Sequence, residues 1–273
     1  MHRNESLPTP ASSIEFTDLG FRVDDRALLT DLNGRFDGGR IHAIVGQNGA
    51  GKTTLLRCLT KELAPTRGQI LFNGRALNHW SFKALAKQRA VLPQQSAVHF
   101  AFTVEELVSL GLEVAESQTN HINQLEQILA VCDLQSLAQR NCLTLSGGEQ
   151  KRAQLARVLA QIWPDHPEAD QAFSGKWLFL DEWSEGLDLK HQIQISAWLR
   201  RASRQGLGVV MILHDLNQVV QWADEVLLLK QGRLHTQGDI ADVFTADNLH
   251  QVMDVHLRLW RDPALPYPLI VPE

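Results

Sequence analysis

Apolar positions in the first part of the chain come in short, alternating bursts. Ile14, Phe16, Leu19 and Phe21 sit among polar residues, a turn follows at Asp24-Asp25, and Leu28, Leu29 and Leu32 continue as a second short strand. Arg40 to Val45 reads as a short buried strand that ends at a glycine. The period then changes. From Thr53 to Leu63 the residues Leu55, Leu56, Leu59 and Leu63 share one helical face. Pro65 to Gly68 is a turn, and Gln69 to Phe72 returns as a strand closed by Asn73-Gly74. These residues predict an N-terminal antiparallel β subdomain, preceded by a polar, flexible tail over Met1 to Ser13.

Between residues 96 and 145 the strand pattern stops. Val104, Leu107, Val108 and Gly111 repeat at helical spacing, and so do Ile122, Leu125, Ile128, Leu129 and Cys132. This stretch predicts an inserted helical subdomain. Strand and helix then alternate: Trp177–Leu180, Leu189–Ser203, Val209–Leu213, Asp215–Trp222 and Glu225–Leu229. Such alternation is the mark of an α/β fold with a mostly parallel, doubly wound sheet. Residues 14–95 and 146–252 would form the core, with 253–273 as a C-terminal tail that is Pro-rich from Asp262.

Composition narrows the partners more than the fold. The chain has 273 residues, 44% hydrophobic and 21% charged, ordinary values for a soluble globular protein. Its 26 Lys and Arg against 31 Asp and Glu give a charge of −5, which argues against a general nucleic-acid binder. A small basic pocket for a phosphorylated ligand is still compatible with it. No apolar run approaches the about 20 residues needed to cross a bilayer, and the N-terminus lacks the apolar region of a secretory signal. Cys58, Cys132 and Cys142 are odd in number, without metal-type spacing, and read as reduced thiols of a cytosolic protein.

The chemistry concentrates in two segments. Gly46-Gln47-Asn48-Gly49-Ala50-Gly51-Lys52-Thr53 fits G-x-x-x-x-G-K-[ST] between a predicted strand and a predicted helix, the context of a phosphate-binding P-loop. The glycines let backbone N–H groups face a phosphate, the helix N-terminus adds partial positive charge, and Thr54 extends the same turn. Lys52 would reach the β and γ phosphates of ATP, and the Thr53 hydroxyl would bind Mg2+. The strand Trp177–Leu180 runs into Asp181-Glu182. Asp181 would hold the magnesium through water, and Glu182 would polarise the attacking water.

Leu145-Ser146-Gly147-Gly148-Glu149-Gln150 precedes an amphipathic helix, and here the chain resembles the ATPases of ABC transporters, whose signature is L-S-G-G-Q or L-S-G-G-E. The resemblance runs from about Ile14 to Val252. Ser146 and Glu149 also form a capping-box pattern, and Gly147-Gly148 would let a phosphate approach the backbone. The resemblance implies a P-loop NTPase core and a head-to-tail dimer, in which Ser146, Gly147, Gly148 and Glu149 close over the ATP held by the other copy. It implies that Gln94, or Gln95 beside it, is the glutamine that senses magnesium and the membrane partner. It places Asp188 in the loop at the dimer seam and makes His214 the switch histidine at the γ phosphate. It further implies transmembrane permease partners, an indirect link to a periplasmic substrate-binding protein, and a place on the cytoplasmic face of the bacterial inner membrane.

This sequence departs from the family at three points. Trp183 stands where a proline is usual, which bears on the loop geometry. Glu185 stands where a serine is usual, which adds negative charge near the γ phosphate. The position of the adenine-stacking aromatic falls on Val23, with Phe21 as the substitute, or else as a core residue. The subfamily importing ferric siderophores, haem and cobalamin is the nearest. Phe102-Thr103-Val104-Glu105-Glu106-Leu107-Val108 and Ala156–Pro164 resemble its hemin-importing branch, as does the polar loop Asp165–Lys176. The segment Ser96–Phe102, with Val98, Phe100 and Phe102, is the candidate permease contact, or otherwise part of the helical core. The 11 histidines show no paired or haem-attachment spacing.

Overall fold

Eleven apolar or mixed residues from Ser13 to Val23 form β1, which turns back into β2 (Arg26–Asp37) and β3 (Ile41–Val45). The chain continues through α1 (Lys52–Leu59), β4 (Arg67–Phe72), β5 (Arg75–Ala76), α2 (Phe82–Ala86) and β6 (Arg89–Leu92). Three helices follow: α3 (Val104–Ala115), α4 (His121–Val131) and α5 (Gly147–Gln161). Then come β7 (Trp177–Asp181), α6 (Leu189–Arg204), β8 (Gly208–Ile212), α7 (Leu216–Trp222), β9 (Glu225–Lys230) and β10 (Arg233–Asp239). The chain closes with α8 (Ile240–Val243), α9 (Ala246–Met253), β11 (Leu257–Trp260) and β12 (Leu269–Pro272). This computed structural model describes residues 12–94, 100–115 and 121–273.

The main sheet has the order β10-β9-β3-β8-β7-β6, parallel throughout except for the edge strand β10. Its inner strands β3, β7 and β8 are buried at every position and mostly apolar, because both faces are covered. The pleat divides those runs in two. Ala43, Val45, Leu178, Leu180, Val209, Met211, Val226 and Leu228 join one core with α3, α5 and α6. Ile44, Trp177, Phe179, Val210, Ile212, Leu227 and Leu229 join the other, with α1 and the antiparallel sheet β2-β1-β4-β5. The predicted α/β core, antiparallel subdomain and helical insertion are all present.

Several boundaries differ from the sequence reading, each for a local reason. The first helix ends at Leu59, not Leu63: Lys61 takes a left-handed φ of 61°, and the amides of Glu62 and Leu63 return to the Arg57 carbonyl at 2.9 and 3.0 Å. β2 is long rather than short, pairing with β1 from Arg26 to Asp37. Helix α5 packs closely on α3. A Cβ on Gly111 of α3 would lie 2.2 Å from the Arg157 carbonyl oxygen of α5, which is why that helical position is glycine. Ile122 does not join the buried face of α4; it is 69% exposed, while Gln124 is buried and donates to the Pro164 carbonyl.

The C-terminal stretch is not a loose tail. β11 and β12 form an antiparallel hairpin, and Ile270 is buried in the main core. Asn217 on α7 binds that strand as another strand would: its Nδ2 donates to the Ile270 carbonyl at 3.1 Å, and the Ile270 amide donates to its Oδ1 at 2.8 Å. Replacing Asn217 with Ala should cost about 1–2 kcal/mol of unfolding free energy through two lost hydrogen bonds. It should also open the hairpin to proteolysis. Urea unfolding with limited digestion reads both, and a variant as stable and as protected as wild type would refute the clamp.

The three cysteines are buried free thiols, as expected. Burial pushes Cys58 and Cys132 up to about 12, so neither is a thiolate near neutrality. Among the described residues no helix is long and apolar enough to cross a membrane. Met1–Ala11, Gln95 and Val98 lie outside the described residues. Of the candidate permease segment, Phe100 is exposed and Phe102 packs against the core, their ring centroids 6.1 Å apart.

Candidate functional site

The chain leaves the sheet at Val45 and must turn within six residues to enter α1. Two points of that turn admit only glycine. A Cβ on Gly46 would meet the Leu229 carbonyl oxygen at 2.2 Å, and Gly51 has a φ of +101° with the Leu28 carbonyl oxygen 2.9 Å from where a Cβ would stand. Gly51 is also the N-cap of α1 and brings no side-chain acceptor, so the first-turn amides keep their donor capacity for an anion. Lys52 is buried, and its Nζ donates to the Gly46 and Gln47 carbonyls at 2.8 and 3.1 Å. Burial lowers its pKa, against the opposing pull of Glu182 and Asp181.

Asp181 ends β7 at 2% exposure, and its Oδ1 has no hydrogen-bond partner. Burial pushes its carboxyl up, while a bond from the Thr53 hydroxyl pulls it down. A buried carboxylate oxygen without a donor, beside a hydroxyl, is the donor set a hard divalent cation takes. The next residue, Glu182, adopts a left-handed φ of 53°, a conformation non-glycine residues seldom hold. That turn aims its side chain back across the strand end. One carboxylate oxygen accepts from Gln94 Nε2, and the other meets His214 Nε2 at the end of β8. Burial pushes Glu182 up, but the bonds from His214 and Gln94 and the nearness of the imidazole hold it below the usual carboxylate range. Lys151 of α5 fastens the loop from outside, donating to the Glu182 and Glu185 carbonyls at 2.8 and 2.7 Å.

Asn48, Gly49, Gly51, Lys52, Thr53, Thr54, Gln94, Glu182 and His214 line one cleft of about 720 Å³. Gly46 and Ala50 shape the loop from behind, and Gln47 turns away to donate to the Met253 carbonyl at 2.8 Å. Arg26, Leu28 and Glu185 line the same cleft. Arg26 and Leu28 escaped the sequence reading, although their place just after the β1–β2 turn puts them opposite the glycine loop. The carboxylates of Glu182 and Glu185 and a ring nitrogen of His214 lie within 4.8 Å of one another. Glu185 thus stands in the site, whereas Trp183 leaves it: its indole is fully buried against Trp222, with centroids 5.1 Å apart.

Other predicted residues lie elsewhere in this chain. Ser146 caps α5 in a complete capping box: its amide donates to Glu149 Oε2 at 2.7 Å, and the Glu149 amide returns to its Oγ at 3.4 Å. Neither these two nor Gly147 and Gly148 line the cleft. Asp188 is the N-cap of α6, accepting from the His191 amide at 3.0 Å, and is also outside it. Of the two positions offered for an adenine-stacking side chain, Phe21 takes its other reading, that of a core residue, and Val23 stands at the hairpin turn. Phe21 is half-buried and packs on the core, while Val23 is 49% exposed. Neither lines the cleft. His42 is a core histidine whose Nε2 donates to the Asp37 carbonyl at 2.8 Å.

A glycine-rich loop at a helix start, facing an Asp-Glu pair at the end of a parallel strand one removed in the same sheet, is the arrangement of a P-loop nucleotide-binding protein. The ABC transporter family pattern matches residues 29–163. The hemin import ATP-binding protein HmuV of Escherichia coli O157:H7 is 41% identical over 94% of this chain and 98% of its own. Its namesake from Gloeobacter violaceus is 40% identical over 93% of this chain and 92% of its own. A solved metal-chelate type ABC transporter in an inward-facing conformation superposes with a TM-score of 0.75 at 26% identity, over 97% of this chain and 98% of that one. A bacterial Atm1-family ABC exporter with ATP bound gives 0.76 at 26% identity, over 93% of this chain and 43% of that one. The chain belongs to the ABC transporter family, as an ATP-binding subunit.

Proposed function

We propose that this chain hydrolyses MgATP in the cleft between the glycine loop and Glu182, as the motor of a bacterial importer whose cargo is hemin. The observation that carries the hydrolytic part is the Glu182 carboxylate, held by Gln94 and His214 in the cleft that Lys52 also lines. The cargo rests on relatives 37–41% identical over at least 90% of the chain, which are named hemin import ATP-binding proteins.

Loop amides and Lys52 would bind the β and γ phosphates. Thr53 and Asp181, with Gln94, would hold Mg2+, which when bound screens the phosphate charge and favours in-line attack. Glu182 accepts a hydrogen bond from the attacking water. Each of its oxygens holds one contact, to Gln94 and to His214, and keeps a second lone pair for the water. A γ phosphate would offer the His214 imidazole a second strong acceptor beside Glu182.

Ser146–Glu149 and Asp188, outside the cleft of their own chain, would close the cleft of a second copy in a head-to-tail dimer. Exchange of the capping-box bond for a phosphate contact would link ATP to the end of α5. Gln94 leads into the Ser96–Phe102 segment, which would receive transmembrane permease subunits. The chain would therefore sit peripherally on the cytoplasmic face of the inner membrane, fed indirectly by a periplasmic substrate-binding protein.

The cargo is tested with the chain assembled on its permease in lipid vesicles. ATP hydrolysis should rise when hemin and its binding protein are supplied, and not with a ferric siderophore or cobalamin. Stimulation by either of those instead would reassign the cargo and leave the motor intact.

A further inference from the structure

We infer that Arg26 is the platform on which the purine base of the nucleotide stacks. The inference rests on the ATP reading of the cleft. The cleft has a chemical direction. Lys52, Gln94, Glu182 and His214 gather at the end where phosphates and water react, while Arg26 and Leu28 line it from the start of β2. A nucleotide with its phosphates on the glycine loop, and its γ phosphate toward Glu182, sends its base the other way, toward β2.

Arg26 has the chemistry that end needs. It pairs directly across the hairpin with Val23, so both side chains leave the same face of the ladder, beside the cleft. Its guanidinium makes no hydrogen bond or ion pair among the described residues. Its neighbour Arg22, by contrast, is committed to the Asp25 carbonyl at 2.9 Å. Arg35 is likewise held by Asp37 and Glu15. An uncommitted planar cation stacks on the face of an aromatic ring. The alternatives on this hairpin are poor: Phe21 is packed on the core, and Val23 offers no flat surface. A stacking platform reads the π face and not the base edge, so adenine and guanine should be held alike.

The test measures equilibrium binding of MgATP, MgGTP and magnesium tripolyphosphate to the full-length chain and to three variants. Arg26→Ala should weaken ATP and GTP by roughly tenfold each and leave tripolyphosphate unchanged. Arg26→Lys keeps the charge but not the plane and should bind as weakly as the alanine variant. Arg26→Trp keeps a plane without the charge and should restore binding. Two results would overturn the inference: unchanged ATP binding in Arg26→Ala, or rescue by lysine with tripolyphosphate falling in parallel, which would make Arg26 a phosphate contact. A wild-type chain that binds neither ATP nor tripolyphosphate would instead overturn the ATP reading itself.

Discussion

Replacing Glu182 with Gln should cut phosphate release from MgATP by about 100-fold or more, on the order of 3 kcal/mol of transition-state stabilisation. The amide keeps the shape of the side chain and one acceptor oxygen, so the left-handed turn at Glu182 and the Gln94 contact can persist. What disappears is the negative charge that orients the attacking water. The contacts from His214 and Gln94 favour the charged carboxylate, so the lost charge is the expected source of the defect. ATP affinity should stay close to wild type. Full hydrolytic activity in this variant would remove Glu182 from the mechanism.

Replacing Lys52 with Ala should weaken MgATP binding by about 100-fold, roughly 3 kcal/mol, because a charge-assisted contact to the phosphates is lost in a partly buried site. Two carboxylates, Asp181 and Glu182, would also lose their nearest buried cation. The fold should tolerate the change. Burial already disfavours the ammonium, and the carbonyls it serves, Gly46 and Gln47, belong to a loop lining an open cleft. Isothermal calorimetry beside a thermal melt separates the two effects. Unchanged ATP affinity would count against the phosphate site.

Much of this architecture is legible in the chain because its signals are local. The short, mostly apolar runs of β3, β7 and β8 announce strands covered on both faces, and the glycine loop fits between a strand and a helix. Ser146 and Glu149 spell out a capping box three residues apart, and the box forms. What escaped depends on partners distant in sequence. The C-terminal hairpin is held by Asn217, 53 residues from Ile270, and no composition rule points to that pair. Phe21 reads in sequence either as a base platform or as a core residue, and only the packing of the antiparallel sheet on the core decides for the second. Arg26 was overlooked for the complementary reason: an exposed arginine after a turn is unremarkable until the opposite loop is seen across the cleft. Trp183 illustrates tertiary override, since packing on Trp222 takes it out of the site altogether.

The claim that binds these observations together is that one copy's signature completes the other copy's cleft. Sedimentation of the Glu182→Gln variant, with and without MgATP, tests it most directly. The account predicts a dimer that forms only with nucleotide and that a second change, Ser146→Arg, abolishes while the monomer still binds ATP. A variant that binds ATP yet stays monomeric, or a dimer indifferent to Ser146→Arg, would contradict it.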